Sequence, residues 1–389
     1  MEIMSDAIGV IGTSLVENEK RIPLVIEHLR LIPQKISKPL VIESGYGAHF
    51  GYSDELLKDL GCLIASREEI LGGLDLVVIP KPTAGDIRKM KKGSALFGWV
   101  HAVQQYDIAQ AAIENEITLI AWESLNHWDA QGRKLMHLFY RNNELAGYCA
   151  VLHCLSLFGL DGLYGPRRKV TILGYGSVSK GAIRALNGRG FNFIHTYTRR
   201  KTHLVADRNP DVYFGNYYFA ENGEIFVQES DLTHRTILEA LCDSDIIVNG
   251  ILQDTNNPAM FLRESDLRIL KPETVLVDVS CDKGMAFSFA RPTTFDIPYV
   301  KLERNIRYYS VDHTPSYLWH ASSREISAVV FSQIEKLAMG SVSWDSDETI
   351  KKATEIRQGR IVNSNILEFQ HRKPQFPYER ELLAVNSDS

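Results

Sequence analysis

Short apolar runs alternate with amphipathic stretches along the whole chain, and no other feature constrains its fold as strongly. "AIGVIG" and "PLVIESG" read as buried strands, with the helical pattern "RIPLVIEHLRLI" between them. "SDELLKDLGC" has a Ser cap and a glycine stop, as a short helix should. Strand-like "DLVVIPK", "SALFGWVH" and "ITLIAW" follow. The long apolar stretch "NNELAGYCAVLHCLSLFGL", with Asn142 or Asn143 as its N-cap, reads as a helix between two domains. The alternation then resumes with "VTILGYG", "FNFIHTYT", "DIIVNGI", "TVLVDVS" and "RYYSVDH". Strand and helix in alternation imply parallel sheets covered by helices.

A chain of 389 residues exceeds one ordinary core. The expected architecture is α/β, with two Rossmann-like domains, an interdomain cleft and a discontinuous first domain. Residues 1–130 plus 320–389 are assigned to the substrate domain, and residues 131–319 to the dinucleotide-binding domain. The C-terminal assignment rests on "SSREISAVVFSQIEKLAMG", a helical pattern with Ser322 and Glu325 in capping-box register and a stop at Gly340. These last helices have no evident strands of their own, so they are expected to return to the first domain. The net charge of −5 gives no attraction to nucleic acid or anionic membrane. No apolar run reaches the length of a membrane span. The N-terminus has no basic segment before an apolar one, and five scattered cysteines show no metal or disulfide spacing. A cytoplasmic protein with reduced thiols and no metal is the expectation.

"VTILGYGSVSKG" meets the conditions for a dinucleotide site. An apolar strand leads into Gly174 and Gly176, and a helix opens at Ser177 and Val178. The first glycine permits a tight turn, the second lets backbone approach a pyrophosphate, and the helix start offers free N–H groups. Ser179 replaces the third glycine of the usual pattern. Where an NAD site carries an acid at the end of the next strand, this chain has Thr198, Arg199 and Arg200. A carboxylate repels a 2′-phosphate and guanidinium groups pair with it, so the expected cofactor is NADP(H).

Four further residues fall near the carboxyl ends of apolar runs, where open α/β sheets bind ligands. Arg21 is read as opening a helix after the first strand, while Lys81, His101 and Asp282 are read as terminating strands. Singly, each has an ordinary structural explanation; their joint placement points to a site.

The ordered motifs "NEKRIP", "VIESGYGAHFGYSDE", "KPTAGD", "FGWVHAVQ", "NNELAGY", the glycine turn, "DVSCDKG" and "ARPTTFD" resemble the alanine dehydrogenase and nicotinamide nucleotide transhydrogenase family. The resemblance runs to about residue 340. It implies that Arg21 and Lys81 hold the carboxylate and carbonyl of a 2-oxo acid. It also implies that His101 is the acid–base group and that Asp282 lies beside the reacting carbon. Asn249, with Gly250, would border the nicotinamide.

Departures from alanine dehydrogenase refine that expectation. Met285 stands where those enzymes have a glycine, and "DHTPSYLW" replaces their Asn-Met-Pro segment. "LFGWVHAVQ", "AWESLNHW" and "VDHTPSYLW" resemble the N-(carboxyethyl) amino acid synthases of the family. Ammonia needs almost no pocket, so acidic and bulky residues here suggest a larger, cationic amine. Glu123 and Asp312 are the candidates for its ammonium groups, and Tyr317 and Trp319 for its apolar walls. The expected activity is NADPH-dependent condensation of a 2-oxo acid with ornithine or lysine, in a homo-oligomer. Alternatives are an alanine dehydrogenase using ammonia, a saccharopine dehydrogenase-like enzyme, or a non-catalytic transhydrogenase-like subunit.

Overall fold

The computed structural model describes residues 6–251, 253 and 258–380. The chain divides into two compact units, Met1–Tyr140 with Trp319–Ser389, and Arg141–Leu318. Each is built on one sheet with helices on it, in keeping with the α/β class expected from the alternation.

In the first unit, six strands from Ile8–Val10 to Thr118–Ala121 pair in parallel. Successive residues point to opposite faces and both faces are covered. Ile8, Val10, Ile42, Val78 and Phe97 belong to one core, shared with Ile326, Val330, Ile334 and Leu337 of helix Trp319–Ala338. Val41, Val77, Leu96 and Leu119 belong to the other, with Ile87 and Ile108. Burying a side chain of this size contributes about 1.5–3 kcal/mol, so continuous apolar runs favour a sheet covered on both sides. Short helices begin at side-chain caps: Ser53 before Asp54–Asp59, Ser66 before Arg67–Gly73, and Thr83 before Ala84–Lys89. Arg88 and Lys89 fall in the last turn of that third helix.

Three local expectations are corrected. The helix read over "RIPLVIEHLRLI" contracts to Ile26–Leu29 and a single turn at Ile32–Gln34, so Arg21 opens no helix. The amides of Ile22, Leu24 and Val25 instead bond to the hydroxyls of Ser323, Tyr46 and Ser327, which satisfy backbone donors without helix formation. Ser322 is no cap either, because the helix already starts at Trp319 and buries Ser322 and Ser323 in its body. The C-terminal region also has strands of its own. Thr354–Arg357 pairs antiparallel with Thr118–Ala121, and Arg360–Ile361 pairs antiparallel with Thr354–Arg357 at the sheet edge.

The second unit centres on parallel strands Val212–Phe219, Ile194–Thr198, Val170–Leu173, Ile246–Asn249, Val275–Asp278 and Arg307–Tyr309. Antiparallel strands extend both edges: Ile225–Gln228 and His234–Thr236 on one side, Tyr299–Lys301 on the other. Helix Tyr140–Leu157 begins ahead of Asn142 and Asn143, so neither is its N-cap. It packs against helix Ser177–Gly188 at glycines: a Cβ on Gly181 would stand 1.8 Å from the Glu144 carbonyl oxygen. Gly181 therefore allows a close approach that no larger residue permits. Among the described residues, no helix is long and apolar enough to cross a membrane.

Candidate active site

In the first unit the site residues lie on extensions of strands rather than at their regular ends. Leu76–Val78 and Ala95–Gly98 run on together, with Ile79 N–H donating to Phe97 O (3.1 Å) and Trp99 N–H to Pro80 O (3.0 Å). Lys81 follows one extension and His101 the other. Ser14 Oγ donates to the Lys81 carbonyl at 3.1 Å, fixing the loop between Pro80 and Pro82. His101 adopts φ = 47°, a left-handed conformation unusual for a residue with a Cβ. Its amide donates to Glu123 Oε1 at 2.5 Å, and its carbonyl accepts from Gln105 at 2.8 Å.

Arg21 is 4 % exposed, forked onto Glu19 through Nε (2.8 Å) and Nη2 (2.5 Å). Its guanidinium lies 4.7 Å from the Trp99 ring centre. Through Trp99 and the Pro80 bond, Arg21, Lys81 and His101 gather at one end of the sheet, where Glu123 supports His101. Burial pushes the Glu123 carboxyl up, and the nearby Glu355 carboxyl adds to the shift. Sequence reading missed an ionic cluster beside the Lys81 loop, joined to it through Thr13–Ser14 and Thr83. Arg67 bonds to Glu43 Oε1 (3.1 Å), to Asp86 Oδ1 (3.0 Å) and to the Thr13 carbonyl (2.9 Å), while Glu43 accepts the amides of Gly12 and Thr13. Charged residues so far apart in sequence carry no spacing signal.

In the second unit Gly174 has φ = 92°, and a Cβ there would stand 2.9 Å from Ile251. Nothing lies within 4 Å of the Cβ position of Gly176. Helix Ser177–Gly188 starts with no side-chain cap, leaving the N–H groups of Ser177 and Val178 to an incoming anion. Ser179 Oγ is buried without a partner, against the backbone of Gly250. This cradle fits a dinucleotide pyrophosphate. Thr198 is buried at the end of its strand and its Oγ1 accepts from the Arg200 amide (3.4 Å). Arg199 and Arg200 are exposed. Arg200 Nη2 reaches back to the Tyr175 carbonyl at 3.2 Å, which holds it beside the glycine turn.

Asn249 and Asp282 are linked by Asp278, which sequence reading passed over. Its Oδ1 accepts from Asn249 Nδ2 (2.9 Å) and the Cys281 amide (3.2 Å), and Oδ2 accepts from the Tyr308 hydroxyl (2.7 Å). Asp278 is the residue that ends strand Val275–Asp278, and Asp282 lies in the loop beyond. Burial pushes Asp282 up to about 6, with Asp278 and Asp312 adding repulsion. The Asp312 side chain is 49 % exposed, and its Oδ1 accepts the His313 amide (2.7 Å). Tyr317 stacks on His153 at 5.0 Å. Trp319 belongs to the first unit, edge-on to His49 and Phe50 at 4.8 and 4.7 Å.

Two domain models cover this arrangement: "Alanine dehydrogenase/PNT, N-terminal domain" over residues 14–143 and "Alanine dehydrogenase/PNT, C-terminal domain" over residues 160–364. The chain belongs to the alanine dehydrogenase/PNT family. The family binds a nicotinamide cofactor, and its members include enzymes named for amino-acid chemistry. Relatives include an N(5)-(carboxyethyl)ornithine synthase of Clostridium botulinum, 28% identical over 80% of this chain and 88% of that protein. A Lactococcus lactis protein of the same name is 25% identical over 81% and 91%. An alanine dehydrogenase of Mycolicibacterium smegmatis is 22% identical over 92% and 95%. Among solved structures, an L-alanine dehydrogenase superposes with a TM-score of 0.75 at 19% identity, covering 93% of this chain and 98% of the other. A transhydrogenase from Sinorhizobium meliloti gives 0.67 at 16% identity, covering 92% and 98%. These two likenesses show the alanine dehydrogenase/PNT fold.

Proposed function

We propose that this family member is an NADPH-dependent synthase that condenses a 2-oxo acid such as pyruvate with an amino group of ornithine or lysine. Arg21 and Lys81 take the oxo acid, the first at its carboxylate and the second at its carbonyl oxygen, by charge-assisted hydrogen bonds. His101 gives a proton to the departing carbonyl oxygen and recovers one from the adding amine, so that an imine forms and water leaves. A bound reduced nicotinamide would supply the hydride to the carbon of the protonated imine, which leaves a secondary amine. Asp282 and Asn249 serve on the nucleotide side. The exposed Arg199 and Arg200, with no acid at the end of strand Ile194–Thr198, favour a cofactor bearing a 2′-phosphate.

The observation that carries the amine assignment is the half-exposed Asp312 beside Asp282. Its carboxylate suits the distal ammonium of a diamino acid, and the carboxyethylornithine synthase relatives support the same reading. The test is an oxidation screen with NADPH and NADH. Pyruvate, oxaloacetate, glyoxylate and 2-oxoglutarate are each paired with ammonia, ornithine, lysine and arginine. Pyruvate with ornithine or lysine and NADPH is the expected best combination. If ammonia is the best amine, the enzyme is an alanine dehydrogenase and the proposal fails.

A further inference from the structure

Behind His101 lie two acidic side chains that the proposed chemistry does not use. Glu123 follows strand Thr118–Ala121, and Glu355 comes from the neighbouring antiparallel strand Thr354–Arg357. Glu355 is 3 % exposed. Its Oε1 accepts from Ser124 Oγ at 2.6 Å, beside Glu123 in sequence. The Oε2 atoms of Glu123 and Glu355 are both closed off from solvent, and neither has a hydrogen-bond partner. The Asn363 side chain lies beside the Glu355 carboxyl and favours its charged form, but burial outweighs it. Two adjacent buried carboxylates cannot both ionise cheaply, and an orphaned buried oxygen requires an explanation. One proton meets both demands, since it removes the repulsion and turns one orphaned acceptor into a donor.

What this pair holds in place is the backbone of His101. The left-handed conformation at that residue costs of order 1–3 kcal/mol unless its surroundings enforce it. The Glu123 bond to the His101 amide is one such restraint. We propose that Glu355 is a positioning residue for the reaction: it shares a single proton with Glu123 and so keeps the Glu123 carboxyl turned onto the His101 amide. This rests on the reading of His101 as the acid–base group. Burial pushes both carboxyls up, and the Glu355 charge makes ionisation of Glu123 harder.

Two measurements test it, one independent of turnover. Infrared spectra at neutral pH should show the carbonyl band of a buried protonated carboxylic acid, and Glu123→Gln/Glu355→Gln should lack it. Absence of the band from the parent protein overturns the proposal. In the kinetic arm, Glu355→Gln supplies a neutral group of the same shape and should retain at least about a third of parental kcat. Glu355→Ala should lose about tenfold in kcat, the scale of one unsatisfied buried group, with the KM for NADPH unchanged. Glu355→Ala added to Glu123→Gln should cost much less than in the parent, because the two act through one bond. Equal losses in Gln and Ala variants of Glu355, or full additivity, would mean that Glu355 only fills space. If no 2-oxo acid and amine are turned over at all, the proposed activity fails, while the infrared arm still decides the shared proton.

Discussion

In the first unit the charges near its candidate residues are buried: Arg67, Glu43 and Asp86, beside the Lys81 loop, have side chains 12, 7 and 2 % exposed, and Arg21 is sealed against Glu19 and Trp99. The second unit treats its candidate residues differently. Arg199 and Arg200 are exposed, Arg200 with one bond to the Tyr175 carbonyl, and Asp312 is half-exposed with its Oδ2 3.7 Å from His313 Nδ1; elsewhere in this unit Lys180 meets Asp207 at 3.9 Å with the acid 87 % exposed. Exposed pairs contribute little to stability, whereas breaking a buried one is costly. The first arrangement suits residues that must act on a small oxo acid in fixed geometry. The second leaves charge at the surface, as the proposed binding of a charged cofactor and a cationic amine would need.

That contrast predicts where substitutions will show. His101→Ala should cost about 10²–10⁴-fold in turnover with NADPH affinity preserved, as measured by steady-state kinetics and cofactor titration. Full turnover would remove the first unit's claim to the chemistry. Next in size, Arg67→Met should lower stability by about 3–5 kcal/mol in denaturant unfolding, because it leaves two buried carboxylates without their cation. A loss below 1 kcal/mol would erase the contrast between the units. Replacing Arg199 and Arg200 together by Ala should leave unfolding nearly unchanged. It should weaken apparent NADPH binding by about 1.5–3 kcal/mol and NADH binding far less. Equal weakening of both cofactors would withdraw the 2′-phosphate assignment.

The smallest effect concerns pH. Asp282 titrates near 6 instead of the ordinary 3.8, with burial as the main cause. The folded state therefore holds its proton more tightly than the unfolded chain does. Stability is highest below about pH 4 with respect to this group and falls as pH rises through 6. Asp282→Asn should abolish that slope, gaining about 1–2 kcal/mol over the parent above pH 7 in paired thermal melts. A slope unchanged by the substitution would show that Asp282 is better solvated than its setting implies.

Both sheets and the glycine turn were legible because they are written locally, in apolar runs bounded by turns. Lys81 and His101 stood out for the same reason, each following such a run. Misreadings arose where distant contacts overrode local signals. Ser322 and Glu325 have capping-box spacing, yet the helix starts at Trp319 and its neighbour Ser323 serves the Ile22 amide from the opposite end of the chain. Strand Thr354–Arg357 is four residues long with one face of charge, too short for period to separate it from a helix. Asp278, Arg67 and Glu355 were invisible for another reason. Their partners lie on other elements of the fold, and a lone acid or base within a sequence reads as surface until the fold supplies the contact.

The antiparallel pairing of Thr354–Arg357 with Thr118–Ala121 also sets an order of assembly during synthesis. All of Arg141–Leu318 leaves the ribosome before that edge strand does, so the inserted unit can fold while the first still lacks its border and its covering helix Trp319–Ala338. Until Thr354–Arg357 has been made, Thr118–Ala121 presents an open strand edge and the His101 loop lacks Glu355. A nascent chain stalled before residue 354 would thus carry a finished second unit tethered to an incomplete, association-prone sheet.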